Sequence, residues 1–198
     1  PLTEDGVPAV YIGSEAVVDA AGDPWLRIGI PMKPNGRTGW VPADYLSNLH
    51  IVQTQLVVSR KARRATLYKN GRKIWSARVG VGKASTPTPA GKFWIRERLK
   101  VDNRAYWPWA FGTSAYSSIS DGHGIPVVGI HGTNQPGLIP GAPSHGCIRV
   151  LNAKIKQLAG LMPIGTPVEI TLSELALETF FPADAATAAA LHQMAENV

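Results

Sequence analysis

Short stretches of alternating character, never long apolar runs, organise this chain. Trp25-Leu26-Arg27-Ile28-Gly29-Ile30 is expected to alternate inward and outward, the two-residue period of a half-buried strand. Residues 7–12 read as a short strand before it. After the turn-rich loop 31–39, Gly39-Trp40-Val41-Pro42-Ala43-Asp44-Tyr45-Leu46 closes a small unit, with Trp25, Trp40 and Tyr45 expected to supply its burial. Farther along, Ile51-Val52-Gln53-Thr54 and Gln55-Leu56-Val57-Val58 lead to Ala65-Thr66-Leu67-Tyr68. Lys69-Asn70-Gly71-Arg72 is a hairpin turn, Asn-Gly being the favoured type I′ pair, and residues 73–79 return from it. Gly80-Val81-Gly82-Lys83 is expected to be a rigid turn continuing into a loop over 85–91, followed by a strand over 92–96. Val127-Val128-Gly129-Ile130 is a strand that delivers His131, residues 154–162 a short helix, and residues 167–171 a last strand. No strand–helix–strand alternation is visible, so the pattern predicts a mainly β protein built as a mostly antiparallel sheet or sandwich. The alanine-rich residues 173–198 predict a helical tail, with Asp184 capping a helix over 185–196.

Composition sharpens this picture only slightly. Of 198 residues, 44% are apolar and 17% charged, the balance of a folded protein, while 20 glycines and 16 prolines favour turns and strands over long helices. No apolar run reaches the ~20 residues of a membrane span. The chain starts at Pro1 rather than Met, so a missing leader says nothing about export. Charge is far from evenly spread. Residues 1–50 carry −3, residues 51–172 carry +13 and residues 173–198 carry −4. The middle block should attract an anionic partner. Its cations are dispersed and no nucleic-acid motif accompanies them, which argues against DNA or RNA.

Candidate chemistry converges on Cys147, the only cysteine, within Ser144-His145-Gly146-Cys147-Ile148-Arg149. A single thiol makes no intramolecular disulfide. The alternatives are a buried spectator, an intermolecular link or a reactive nucleophile, and the polar flanks favour the last. A second His-Gly pair, His131-Gly132, lies 16 residues upstream and offers a base. No Cys, Asp or Glu lies at ligand spacing from either histidine, so no metal is expected.

Together these motifs resemble the catalytic domain of the YkuD-type L,D-transpeptidases. That family pairs His-Gly with a downstream Ser/Thr-His-Gly-Cys, and Thr86-Pro87-Thr88-Pro89-Ala90-Gly91 with Phe93 resembles its upstream signature. The family's Asn-x-Asp after the cysteine block is absent, since Asn152 is followed by Ala153 and Lys154, a departure expected to touch helix capping more than catalysis. The resemblance implies a β-sandwich-like catalytic domain over residues 50–172, with Cys147 as nucleophile, His131 as base and His145 helping to shape the pocket. Backbone N–H groups around His145, Gly146 and Cys147 would form the oxyanion hole. Without a nearby acid, a backbone carbonyl near Gly132 is expected to orient His131. Ser144 would fix the loop by hydrogen bonding, and Arg149 is suited to a substrate carboxylate or to solvent. Pro126 and residues 134–143 would bracket the cleft.

Residues 1–49, through Gly39-Trp40-Val41 and Tyr45-Leu46, resemble a bacterial SH3-like domain, implying either a cell-wall-binding module or a spacer. The implied reaction takes a peptidoglycan tetrapeptide stem, releases D-alanine and forms a 3→3 cross-link through a Cys147 thioester, without cofactor or metal. Carbapenems would acylate the same thiol. The resemblance also implies export to the bacterial cell envelope, periplasm or wall. Two other functions share these residues: an L,D-carboxypeptidase using water as acceptor, and a non-catalytic wall-binding protein.

Overall fold

A computed structural model of the chain describes residues 1–47, 49–119 and 127–173. The helix expected over 185–196 and Pro126 lie outside the described residues. The protein is mainly β. Strands β1 (Gly13–Val18), β2 (Pro24–Gly29) and β3 (Thr38–Pro42) form a three-stranded antiparallel sheet, followed by a single 3₁₀ turn at Ala43–Tyr45. Residues 7–12 do not form the expected strand. Their carbonyls serve other elements instead: Val10 accepts from the Trp94 indole N–H at 2.7 Å and Ile12 from the Gly29 N–H at 2.9 Å.

The aromatic core expected for this unit is also absent. Trp40 is 43% exposed and Tyr45 82%, while Leu26 and Ile28 are the buried residues. Register explains the exchange. Trp25 sits opposite Pro42 and Arg27 opposite Trp40, so these side chains share one face while Leu26 and Ile28 take the other.

Nine strands build the larger body: β4 (Thr54–Ser59), β5 (Arg64–Lys69), β6 (Arg72–Gly82), β7 (Gly91–Lys100), β8 (Trp109–Tyr116), β9 (Val127–His131), β10 (Gly141–Ser144), β11 (Ile148–Val150) and β12 (Pro167–Thr171). Their order is β10-β6-β11-β9-β8-β7-β12-β4-β5, and β5 pairs back onto β6. The eleven-residue β6 thus belongs to both halves, pairing β5 through residues 72–78 and β10 and β11 through residues 79–82. Gly80 through Gly82 therefore end a strand rather than make a turn. The sheet is mostly antiparallel, as expected, with parallel pairs at β12–β4, β11–β9 and β10–β6. Among the described residues one α-helix, α1 (Asn152–Leu161), adds Ile155 and Leu158 to a core with Leu56, Leu67, Phe111, Ile130 and Ile148.

Segments flanking the small sheet make polar contacts with β7 and β8, while Gly29 of β2 lies against the Trp94 ring. Arg96, 3% exposed, forms an ion pair with Glu4 and donates to the Tyr116 hydroxyl at 2.9 Å. Burial alone would raise the Glu4 carboxyl, but the Arg96 guanidinium, a backbone N–H and the Tyr116 hydroxyl together hold it below the usual range. Asn35 brackets the backbone of Tyr116, donating to its carbonyl and accepting its N–H, both at 2.9 Å. Thr3 donates to buried Glu97 at 2.7 Å, and burial raises the Glu97 carboxyl.

Candidate active site

Parallel pairing of β11 with β9 assembles the site. Ile148 lies opposite Ile130 and Arg149 opposite His131, so Cys147, one residue before β11, falls beside Gly129. Ile130 and Ile148 face the core; the alternating residues Gly129, His131, Cys147 and Arg149 share the other face. A separation that looks arbitrary in sequence becomes adjacency across one strand pair.

Gly129 is the meeting point. Its N–H donates to Cys147 Sγ at 3.4 Å. A Cβ placed there would lie 3.9 Å from Cys147 Sγ and 3.7 Å from His131 Cδ2. The bare glycine therefore leaves thiol and imidazole facing one another's space. Cδ2 is bonded to Nε2, so the ring edge turned toward Gly129 is the one carrying Nε2.

The tautomer follows from the other nitrogen. His131 Nδ1 lies 2.6 Å from the Gly132 carbonyl oxygen, which only accepts, so Nδ1 carries the proton and Nε2 is left as the base. This is the backbone orienter expected from the lack of an acid. His131 is 4% exposed. Burial pushes its pKa down to about 4; the Gly132 bond opposes this and the Arg149 charge adds to it. Burial pushes the Cys147 thiol up, while the Gly129 N–H and Arg149 pull it down. Burial thus disfavours the charged form of both groups.

Ser144 ties the loop to itself. Its hydroxyl donates to the Cys147 carbonyl at 2.5 Å and accepts the Gly146 N–H at 3.2 Å. That bond uses the Gly146 N–H within the loop, which narrows the expected set of oxyanion donors. Gly146 has φ +128°, a conformation open to glycine, and a Cβ there would press on Ser117 at 3.1 Å. Ser117 in turn donates to the His145 carbonyl at 3.2 Å. His145 is exposed; its Nε2 lies 3.0 Å from Lys83 Nζ, which donates, so the ring bounds the site rather than entering the Cys147–His131 pair. Arg149 reaches the Gln135 amide oxygen at 2.8 Å, on the stretch expected to border the cleft.

Three contributors escaped the sequence reading. The edge of Tyr106 packs on His131, ring centroids 4.6 Å apart. Asn152, expected to affect helix capping, instead accepts the Thr133 N–H at 2.8 Å and steadies the segment after His131; α1 has no side-chain cap. The Trp107 carbonyl would lie 1.7 Å from a Cβ on Gly132, which is why that position is bare. Asp102, Arg104, Trp107, Asn134 and Asn152 line an adjoining open cavity of ≈ 370 Å³. The only signal for these was proximity in sequence to the two motifs, which Asn152 alone carried. Among the described residues, no group of three or more His, Cys, Asp or Glu is placed to hold a metal, and no helix is long and apolar enough to cross a membrane.

Comparison with known proteins gives this geometry its relatives. Residues 53–170 match the family model of the YkuD L,D-transpeptidase catalytic domain. The YkuD protein of Bacillus licheniformis is 36% identical over 129 residues, covering 64% of this chain and 70% of that protein. Its Bacillus subtilis counterpart is 34% identical over 162 residues, 80% of this chain and 87% of the other. Among solved structures, the Ldtfm-avibactam carbamoyl enzyme is 28% identical with a TM-score of 0.48; the match covers 63% of this chain and 51% of that one, about half its length. The chain belongs to the YkuD family of L,D-transpeptidase catalytic domains.

Proposed function

We propose that this protein is a peptidoglycan L,D-transpeptidase acting through a Cys147 acyl-thioester. The observation that carries the reading is the shared neighbourhood at Gly129, whose N–H meets the thiol and whose empty side-chain position is bounded by both Sγ and the Nε2 edge of His131. His131 Nε2 takes the thiol proton as sulfur attacks the carbonyl of the third residue of a tetrapeptide stem. The oxyanion is held by backbone N–H, the carbon–nitrogen bond to the terminal residue breaks, and His131 returns its proton to the departing D-alanine amine. An amine of a second stem then attacks the thioester, gives its proton to His131, and leaves a 3→3 cross-link and the free thiol.

Arg149 extends from the strand position opposite His131, where its charge favours thiolate over thiol and suits a stem carboxylate. The +13 of residues 51–172 supports an anionic substrate. Carbapenem inhibition through the same thiol and residence in the bacterial envelope belong to this reading. So does the division into an SH3-like unit over 1–49, a catalytic domain over 50–172 and a tail over 173–198. The three-stranded meander ending in a 3₁₀ turn supports the first of these.

Mass spectrometry of products from purified tetrapeptide stems tests the activity. Dimers lacking one D-alanine are expected. D-alanine loss without dimers assigns water as acceptor and makes the protein an L,D-carboxypeptidase. Absence of turnover with retention on cell walls leaves only binding.

A further inference from the structure

The peptide between Gly146 and Cys147 is held from behind by one buried hydroxyl, and we propose that Thr88 is the positioning residue for the oxyanion donor. The inference rests on the reading of Cys147 as the acylated nucleophile and goes beyond it in naming what aims the loop.

Thr88 is fully buried. Its Oγ1 accepts the Gly82 N–H at 2.8 Å and donates to the Gly146 carbonyl at 2.8 Å. Neither partner can exchange roles, since an amide N–H only donates and a carbonyl only accepts, so the hydroxyl proton has one direction. In a planar trans peptide the C=O and the next N–H point oppositely. Anchoring Gly146 O therefore turns the Cys147 N–H away from Thr88, to the side where an acyl oxygen meets the thiol. The Gly146 N–H is already given to Ser144, and the donor on the peptide that Thr88 grips is the Cys147 N–H, on the residue that carries Sγ.

Glycine makes this anchor necessary. At φ +128° Gly146 has no Cβ to oppose rotation of its peptide, so sterics alone do not fix the carbonyl. The Thr-Pro-Thr-Pro run supplies the missing constraint. It lies directly on β6, where a Cβ on Gly82 would be 2.3 Å from Thr86 O and 2.4 Å from Thr88 N. Thr86 Oγ1 also donates to the Ser144 carbonyl at 3.3 Å, and the Lys83 N–H donates to it at 3.0 Å. Pro87 between Thr86 and Thr88, and Pro89 directly after, stiffen the segment with φ fixed and no N–H. The upstream motif thus serves the catalytic loop from a position that does not touch substrate.

Two reactions at the same thiol test this. Acylation by a carbapenem develops an oxyanion, whereas alkylation by iodoacetamide displaces iodide and develops none. Thr88→Val keeps the volume and removes the hydroxyl; it should slow acylation about 100-fold while alkylation stays near the parent rate. Thr88→Ser should restore acylation. Should the valine variant fail to fold, Thr88→Ala carries the same comparison. Acylation at the parent rate without the hydroxyl, or equal slowing of both reactions, would overturn the assignment. Failure of the parent protein to be acylated at all would instead remove the nucleophile reading beneath it, a result visible before any variant is made.

Discussion

The two β units of this molecule are held together by opposite means. The larger body buries a continuous apolar core, with Leu56, Leu67, Phe111, Ile130, Ile148 and Leu158 removed from solvent. The three-stranded unit buries Leu26 and Ile28, leaves Trp40 and Tyr45 exposed, and borrows stability from its neighbour through Asn35, Glu4 and Thr3. Functional precision tracks the first kind of construction. His131 ends β9 and Cys147 immediately precedes β11 inside the body, where Ile130 and Ile148 fix the two strands on their inner face. The small unit contacts the site at one remove, through Tyr116, whose neighbour Ser117 holds the His145 carbonyl.

Truncating one core residue in each unit breaks the comparison most directly. Phe111→Ala should cost about 4 kcal/mol and lower the cooperative transition of the whole body, while Leu26→Ala costs about 3 kcal/mol. Hydrogen exchange should show the second variant opening residues 1–47 while β8 and β9 stay protected. Equal loss of protection in both units would mean they fold as one.

Acid separates the units by a second route. The folded pKa of His131, about 4, lies below its unfolded value near 6.5. Between these values the unfolded chain binds the extra proton, so stability falls as pH drops through that window, by at most roughly 3 kcal/mol. The Glu4 contact behaves differently: its lowered pKa keeps that contribution until the pH falls below the ordinary carboxylate range. Urea midpoints measured from pH 7 to 4 should decline for the parent and stay flatter for His131→Gln. Parallel curves would argue against a buried neutral imidazole.

The smallest effect belongs to the docking contact itself. Asn35→Ala removes two hydrogen bonds to Tyr116 and should cost about 1–2 kcal/mol. Alkylation of Cys147 should barely change, because the body positions the thiol. A large loss would show that the small unit contributes more to the site than its contacts imply.

What the sequence revealed follows the same division. Cys147, His131, the Asn70-Gly71 hairpin and the backbone orienter at Gly132 were legible because each is local, set by residue chemistry within a few positions. The parallel pairing that places Cys147 beside Gly129 was not, since a separation of 18 residues says nothing about register. Tyr106 and Asn152 act across loops, where neither period nor propensity carries a signal. Trp40 and Tyr45 misled for physical reasons: register put Leu26 and Ile28 on the inner face in place of Trp40, and Tyr45 lies in the 3₁₀ turn outside the sheet.

The central claim is that Cys147 is an acylatable nucleophile served by His131. Intact mass after incubation with a carbapenem tests it in one step. One covalent equivalent on the parent protein and none on Cys147→Ala is the predicted result; no adduct on the parent, or an adduct that survives the substitution, would contradict it.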